Sequence, residues 1–294
     1  MKIIRMYERM RGSKMKKHRA LKLTLFYLFH AILIIIVFLP LVFAFTSSFR
    51  PLEDIYKYIS PLSLETFIPK NFTLGAYRDI FVEFKFGRSV FNSVFIALVT
   101  VLAGILINGM AGFAFAKFKF PFKRVLFVIV LLTFMVPFEL ISINLYTIMI
   151  DFKWIDSFMA LIIPSIPNGM VIFLFRQYFQ GFPDYLLESA KIDGLNWAQT
   201  FFKIVLPNSK AICISSGLVL FINQWEAFLW PVLVTRTKEM QTIQIALNSF
   251  RTQYTKMWNN IFAASLIAFM IPILLIIPLQ KFYVEGITSA GTKE

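Results

Sequence analysis

Polar residues inside long apolar runs are the part of this sequence best placed to do chemistry. Glu139 and Glu226 are carboxylates within such runs. A carboxylate there can bind a proton or a cation, or it can be held by a packing partner. Planar amides beside an aromatic face suit the recognition of sugar hydroxyls. The candidates for a polar pathway or binding site are Glu139, Asn144, Tyr146, Asn223, Gln224, Trp225 and Glu226.

The sequence lacks the residue patterns of catalytic and metal sites. One cysteine, Cys213, and two histidines, His18 and His30, cannot build a zinc site from those residue types. No nucleophile and base form a recognisable constellation. The string nearest to a phosphate-binding loop, residues 286–293, has its Thr and Lys in the wrong order. We therefore expect no catalytic activity, resident cofactor or metal on this chain.

The composition requires elements that lie in a membrane. Apolar residues make up 58% of the 294 residues and charged residues 16%, against about 45–50% and about 25% in soluble domains. Six runs reach the roughly 20 residues that a helix needs to cross a hydrocarbon core. They cover residues 23–45, 89–116, 125–150, 157–175, 211–235 and 257–280. We predict an all-α integral membrane fold with six transmembrane helices.

The distribution of charge predicts which side of the membrane each connection faces. Residues 1–22, 117–124, 176–210 and 281–294 together contain 19 basic and 6 acidic residues. The alternate connections contain 11 basic and 8 acidic residues. Because basic residues concentrate on the cytoplasmic side, we predict that both termini lie inside. The net charge of +14 then reflects orientation and attraction to anionic lipid, and no nucleic-acid partner is needed.

Small residues and prolines mark the interior of the spans. A stripe of small residues with one amide favours close packing of another helix, and lining of a pore is the alternative. This stripe consists of Gly104, Asn108, Gly112 and Ala116. Pro137 lies near the middle of span 3, and Pro164 and Pro167 are expected to bend or break span 4. Trp230 fits an aromatic belt at the membrane surface.

The inner connection 176–210 has the pattern of two short helices joined by a turn. A helix is predicted over 183–193, closed by Gly194 in the left-handed conformation. Asn196 can cap a second helix with a glutamine at its third position, and Pro207 is expected to end that helix. The pair forms a helix-turn-helix against the inner membrane face.

The first of these helices can meet a partner or lie on lipid. Ser189 and Ala190 are small enough to let another surface approach the backbone, and Glu188 can pair with Lys191 or with a cation on a partner. An amphipathic helix lying on the lipid surface is the alternative. A DNA-binding helix-turn-helix does not fit, because the segment is acidic as often as basic and abuts the membrane.

The same connection resembles the signature of the permease subunits of binding-protein-dependent ABC importers. The matching string is Glu188-Ser-Ala-x3-Gly194-x9-Ile204-x-Leu206-Pro207, in which Ser189 replaces the usual first alanine. Other stretches resemble the carbohydrate branch, nearest to the second permease subunit of maltose-type systems. They lie at 92–94, 173–177, 191–194, 225–234 and 280–288. The resemblance covers residues 23–290, and the tail 289–294 departs from the family's usual ending.

The resemblance implies the type I ABC importer transmembrane fold, with a coupling helix that docks on a cytoplasmic ATPase. The implied docking residues are Glu188, Ser189, Ala190, Lys191, Asp193 and Gly194, and Ile204, Leu206 and Pro207 complete the signature. The implied partners are a second permease subunit, two ATPase subunits that bind ATP and Mg²⁺, and an extracytoplasmic solute-binding protein. The implied location is a bacterial or archaeal cytoplasmic membrane.

These expectations divide the chain and leave two functions open. Residues 1–22 form a basic cytoplasmic tail, 23–88 the first span and outer loop, 89–282 the permease core, and 283–294 a second tail. The first apolar run exceeds the roughly 7–15 residues of a signal peptide, so we expect it to be retained. The alternative to an ATP-driven sugar importer is an ion-coupled secondary transporter, suggested by the two carboxylates within the spans. Oligosaccharides, polyols and phosphorylated polyols all remain open as substrates.

Overall fold

The fold is built from helices throughout the part of the chain that the structure describes. The computed structural model covers residues 2–57, 64–251 and 257–291, with side chains described within 22–57, 65–251 and 257–281. The α-helices are α1 (Lys2–Ser48), α2 (Leu52–Lys57), α3 (Gly75–Val82), α4 (Phe86–Lys117), α5 (Lys123–Met135), α6 (Phe138–Asp151), α7 (Phe158–Ile162), α8 (Gly169–Gln180), α9 (Asp184–Ile192), α10 (Trp197–Thr200), α11 (Lys210–Glu226), α12 (Leu229–Val234), α13 (Ile243–Ser249) and α14 (Trp258–Gly291).

Short helical turns of other types join some of these helices. The 3₁₀ turns lie at Leu64–Thr66, Ile163–Ser165, Pro207–Ser209 and Lys238–Met240, and a π-helical segment lies at Phe201–Val205. The chain divides into two compact units, Met1–Tyr77 with Met257–Ala263 and Arg78–Lys256 with Ala264–Glu294. Side chains of the basic tail before Lys22, and those of the C-terminal tail 283–294, lie outside the described residues.

Three helical stretches within the described residues are long and apolar enough to cross a membrane unbroken. They are Lys22–Ser48, Phe86–Lys117 and Trp258–Lys281. Three more candidates are pairs of helices bent at a short break, by 100° between α5 and α6, by 41° before α8, and by 46° before α11. The predicted six spans are therefore reached when each bent pair counts as one span.

Two of the runs predicted as single spans are interrupted at positions set by prolines. Pro137 has no N–H to donate and holds the preceding Val136 in an extended conformation, so the run 125–150 breaks between α5 and α6. Pro231 lies in the first turn of α12. In a continuous helix its ring would clash with the carbonyl four residues earlier, so Ala227 leaves the helical conformation. The run 211–235 accordingly breaks between α11 and α12.

Pro207 does not end the second helix of the inner connection as expected. The chain passes from α10 through the π-helical segment and the 3₁₀ turn Pro207–Ser209 directly into α11. The Ser209 hydroxyl donates to the Val205 carbonyl at 2.6 Å, which satisfies an acceptor left free at the bend. Proline thus turns the helical path here and does not stop it, because a first-turn position has no hydrogen bond to lose.

Helix α4 is the centre of the second unit and packs closely against α8 and α11. A Cβ added at Gly112 would lie 2.5 Å from the Phe175 Cβ and 2.9 Å from the Arg176 backbone nitrogen. At Gly104 the same atom would lie 2.6 Å from a methyl carbon of Leu220. Ala116 packs against the apolar cluster between these helices. Small residues on α4 therefore set its distance from α8.

We expect Gly112→Ala to destabilise the folded chain and Gly109→Ala to leave its stability unchanged or raised. The first change forces α4 away from backbone atoms of α8, an overpacking cost of about 1–3 kcal/mol. A Cβ at Gly109 meets its nearest atoms at 3.5 Å, an ordinary contact. The midpoint of thermal unfolding in detergent measures both variants. Equal midpoints for the two alanine variants would contradict the close approach of α4 and α8.

The connection between α6 and α7 is fastened to the segment after α12 by one carboxylate. Asp156 Oδ1 accepts from the backbone N–H groups of Arg236 and Thr237 at 2.8 and 3.1 Å, and its Oδ2 accepts from the Thr237 hydroxyl at 2.8 Å. Burial alone raises the pKa of Asp156, but these hydrogen bonds and the nearby Arg236 charge outweigh it and hold that pKa below its ordinary value. The carboxylate form is therefore the stabilising one.

We expect Asp156→Ala to lower the unfolding midpoint at neutral pH and to have little effect in acid. Because the pKa of Asp156 is lower folded than unfolded, its contribution is present above about pH 4 and is lost as pH falls through the folded pKa. Thermal unfolding in detergent across this pH range measures the effect. Asp151→Ala, at an exposed carboxylate that ends α6, is the control. A pH-independent difference between wild type and Asp156→Ala would contradict the assignment.

Candidate functional site

Three helix breaks of the second unit meet around one cavity of about 440 Å³. The breaks are those between α5 and α6, between α7 and α8, and between α11 and α12. Broken helices free backbone polar groups, which are tolerated at membrane depth where they line a wet cavity or are buried in protein. The lining residues are Phe138, Pro164, Ser165, Pro167, Asn168, Leu220, Asn223, Gln224, Ala227, Phe228, Leu229 and Trp230.

Asn108 of α4 holds the break between α7 and α8 in place. Its Nδ2 donates to the carbonyls of Ile166 and Gly104, both at 2.8 Å, and its Oδ1 accepts from the Asn168 backbone N–H at 2.9 Å. Asn168 in turn caps α8, because its Oδ1 accepts from the Val171 N–H at 3.0 Å. The fully buried Asn108 thus satisfies groups that the break leaves unpaired on the cavity wall.

Two amides predicted as pathway residues reach this cavity. Asn223 and Gln224 lie on the last turn of α11 and line the wall together with Asn168. Neither the Asn223 nor the Gln224 side chain has a hydrogen-bond partner among the described residues. Donors and acceptors are therefore available on one side of a largely apolar cavity, an arrangement typical of small-molecule sites.

The other predicted pathway residues lie elsewhere. The Trp225 ring is buried, and its Nε1 donates to the Ala268 carbonyl of α14 at 3.2 Å. Tyr146 contacts Arg236, which donates to its hydroxyl. Glu139, Asn144 and Glu226 have exposed side chains and do not line the cavity. Successive helical side chains point about 100° apart, so residues 223–226 do not all face this cavity.

Trp230 occupies a cavity wall and not a surface belt. Its side chain is buried, and its Nε1 donates to the Ala160 carbonyl at 2.8 Å. It packs edge-on against Phe138, which also lines the cavity. The ring thereby joins α6, α7 and α12 at the point where two of the breaks meet.

The predicted helix-turn-helix is confirmed in its local geometry. Helix α9 begins at Asp184 and ends at Ile192, one residue inside each predicted bound, and Gly194 follows in the left-handed region at φ 77°. Asn196 Oδ1 accepts from the Gln199 N–H at 2.9 Å, and Gln199 Oε1 accepts from the Asn196 N–H at 3.0 Å. This reciprocal capping box fixes the start of α10.

One face of this pair packs on protein and not on lipid. Ala190 is completely buried, and Leu186 and Leu187 pack against the cluster formed by α4, α8 and the π-helical segment. The Trp197 ring contacts Phe113 and Phe118 at the end of α4. The small side chain of Ala190 is therefore packed inside the chain. We had expected it on the exposed face, and the structure does not place it there.

The opposite face of α9 is exposed and carries two large side chains, Ile192 and Tyr185, among polar and charged ones. Ile192 is 86% exposed and Tyr185 is 65% exposed. Glu188, Ser189, Lys191 and Asp193 are exposed as well. No ion pair joins Glu188 to Lys191 in the described structure. A Cβ at Gly194 would meet nothing within 4 Å, so this end of the helix is open to a partner.

The residues that complete the signature lie inside the bend that follows α10. Ile204 is half-buried in the π-helical segment, Leu206 packs partly against the central cluster, and Pro207 opens the 3₁₀ turn. They shape the backbone between the exposed helix and α11. None of the three lines the cavity.

Sequence reasoning missed Lys117 and Asn168. Lys117 ends α4 and contacts the start of α9, and a single lysine closing an apolar run was the signal available. Asn168 follows Pro167, and an N-cap type directly after a helix-breaking proline was the signal for it.

Comparison with known proteins identifies the family of this chain. Residues 101–287 match the profile of the binding-protein-dependent transport system inner membrane component family. The arabinooligosaccharides transport system permease protein of Halalkalibacterium halodurans is 32% identical over 264 residues, covering 90% of this chain and 94% of the relative. The sn-glycerol-3-phosphate transport system permease protein of Agrobacterium fabrum is 30% identical over 262 residues, with 87% and 92% covered.

A solved structure supports the fold. The crystal structure of a bacterial ABC transporter involved in the import of the acidic polysaccharide alginate contains a chain that superposes with a TM-score of 0.75 at 19% identity, covering 87% of this chain and 94% of that one. The family profile matches more than half of the chain, and the relatives match along most of their length. The chain therefore belongs to the family of binding-protein-dependent transport system inner membrane components.

Proposed function

We propose that this chain is a transmembrane permease subunit of an ATP-driven importer and forms half of a pathway for a sugar or oligosaccharide. The observation that carries the proposal is helix α9, which has one face packed on the cluster of α4 and α8, while the other exposes Ile192 and Tyr185 among charged side chains. A surface of this kind suits docking of a protein subunit. In this proposal the subunit is a cytoplasmic ATPase, which binds ATP and Mg²⁺ on its own chain.

The proposed assembly contains a second permease subunit, two ATPase subunits and an extracytoplasmic solute-binding protein. Exposed apolar side chains along α1, from Leu23 to Phe45, support a partner within the membrane. The exposed Glu139 and Glu226 are assigned to contacts with that second permease or with the pathway between the two, because a carboxylate facing lipid is costly.

The proposed orientation places both termini in the cytoplasm of a bacterium or archaeon. Residues 1–22 and 283–294 are then cytoplasmic tails and 89–282 form the permease core. The excess of basic residues on one set of connections supports this orientation. The exposed face of α9 then lies on the same side as ATP.

The proposed substrate class is a carbohydrate or a polyol, with or without a phosphate. Asn223, Gln224 and Asn168 offer amide groups toward the cavity, and Trp230 and Phe228 offer aromatic faces. Relatives named for arabinooligosaccharides and for sn-glycerol 3-phosphate support this class. Asn223 and Gln224 are the residues we assign to substrate contact.

Reconstitution separates this proposal from an ion-coupled transporter. The full complex, with its binding protein, is placed in proteoliposomes and offered labelled arabinotriose or sn-glycerol 3-phosphate. We expect uptake with ATP and Mg²⁺ and none with a proton or sodium gradient alone. Gradient-driven uptake by the purified single chain, with no ATPase present, would overturn the proposal.

A further inference from the structure

Lys117, the last residue of α4, makes a polar contact with the start of helix α9. Its Nζ donates to the Asp184 carboxylate at 2.6 Å and to the Phe182 carbonyl at 2.7 Å. The lysine side chain is only 11% exposed, whereas the aspartate is 76% exposed. A largely buried ammonium is destabilised when it loses its acceptors, so this group adds a polar attachment between α4 and α9 to the apolar packing of Leu186 and Leu187.

The other end of the helical pair is fixed to the same helix by apolar contacts. The Trp197 ring of α10 packs on Phe113 of α4 and on Phe118 just after it. The exposed face of α9 takes no part in either attachment. A force applied to that face is consequently passed to α4 through the polar contact of Lys117, the ring contact of Trp197 and the apolar packing of the buried face of α9.

Helix α4 connects these attachments to the cavity. It is continuous over 32 residues, so Asn108 lies nine residues from Lys117, about 13 Å along the axis at the usual rise. Asn108 binds the Ile166 carbonyl and the Asn168 N–H on the cavity wall. A rigid-body movement of α4 therefore displaces the wall that carries Asn168.

We infer that Lys117 is a positioning residue, which locks α9 to α4 so that a movement imposed on α9 changes the shape of the cavity. The inference rests on the proposed function, in which an ATPase moves α9. Lys117 touches neither substrate nor ATP. Its replacement should therefore separate ATP hydrolysis from movement of the cavity wall and leave the docking face intact.

The experiment follows the cavity without needing to know the substrate. The complete transporter is prepared with Cys213→Ser and Ser165→Cys, so that this chain has one reactive thiol at the cavity wall. The rate of labelling of this chain by a water-soluble maleimide is measured with and without ATP, Mg²⁺ and vanadate. ATP hydrolysis by the same preparation is measured in parallel.

We expect ATP to change the labelling rate roughly tenfold in this background, as for a site that switches between two accessibilities. Adding Lys117→Met should reduce the change to about twofold or less, with hydrolysis kept within about twofold, because only the polar contact between α9 and α4 is lost. Lys117→Arg should restore most of the response, since it keeps the charge and the donors. Lys119→Met, at an exposed lysine two residues away, should behave as the background.

Three results would overturn the inference. One is a full ATP response in Lys117→Met. The second is a parallel loss of hydrolysis and response that Lys117→Arg does not relieve, which would make Lys117 a residue of stability alone. The third is an unchanged response in Asp184→Asn. This variant keeps the lysine but weakens its contact with α9, so we expect it to reduce the response in part. An absent response in the background itself, with Lys117 intact, would instead show that the proposed function is wrong.

Discussion

Replacing Ile192 by aspartate should abolish ATP-driven uptake while the chain itself folds normally. Ile192 is 86% exposed, so the substitution removes no packing within the chain. When a subunit docks on α9, burial of an isoleucine contributes about 1.5–3 kcal/mol to the binding free energy. Burying an unpaired carboxylate there costs several kcal/mol more. Loss of that amount weakens binding of the ATPase at least about a hundredfold. Uptake and copurification of the ATPase both measure the effect.

Phe122 provides the matched control for this change. It is 77% exposed and lies in the connection between α4 and α5, directly before α5. Phe122→Asp should leave uptake and ATPase binding close to those of wild type. Normal uptake by Ile192→Asp, or an equal loss in both variants, would contradict the assignment of α9 as the docking surface.

Replacing Asn108 by leucine should destabilise the second unit and abolish transport. The side chain keeps a similar branched shape, but the Ile166 carbonyl and the Asn168 N–H lose the partner that the fully buried amide provides. Each unsatisfied group costs about 1–3 kcal/mol. A loss of that size corresponds to a fall of about 5 °C or more in the unfolding midpoint.

The comparison for this prediction is Asn144→Leu, read on stability alone. Asn144 is exposed on α6 and has no hydrogen-bond partner among the described residues. The same amide-to-leucine change there should leave the unfolding midpoint of the purified chain unaltered. A midpoint for Asn108→Leu within about one degree of wild type would contradict the role of Asn108 at the break.

Local sequence signals predicted the bounds of helix α9 well. Its bounds follow from Asp184, Gly194 and the Asn196–Gln199 capping box, whose hydrogen bonds run between residues three or fewer apart. Such contacts are independent of the rest of the fold, so sequence spacing is enough to find them. The burial of Ala190 could not be found in this way, because it depends on where α4 and α8 lie.

The cavity was the part that sequence reasoning placed least well. The run 211–235 was read as one helix although Pro231 signals a break at Ala227. Helical geometry could have separated Trp225 from Asn223 and Gln224, but the meeting of these two amides with Asn168 could not be derived. Contacts between distant helices decide these points, and the apolar pattern of each run is compatible with many such contacts.

The most direct test of the central claim is a cross-link from the exposed face of α9 to the ATPase. The sequence has one cysteine, so Cys213→Ser with Ile192→Cys gives this chain a single thiol on that face. A benzophenone maleimide attached there is activated by light in the assembled complex. We predict a covalent product with the ATPase subunit, and none from the matching Phe122→Cys chain. Labelling of lipid alone from position 192, or equal capture of the ATPase from both positions, would contradict the account.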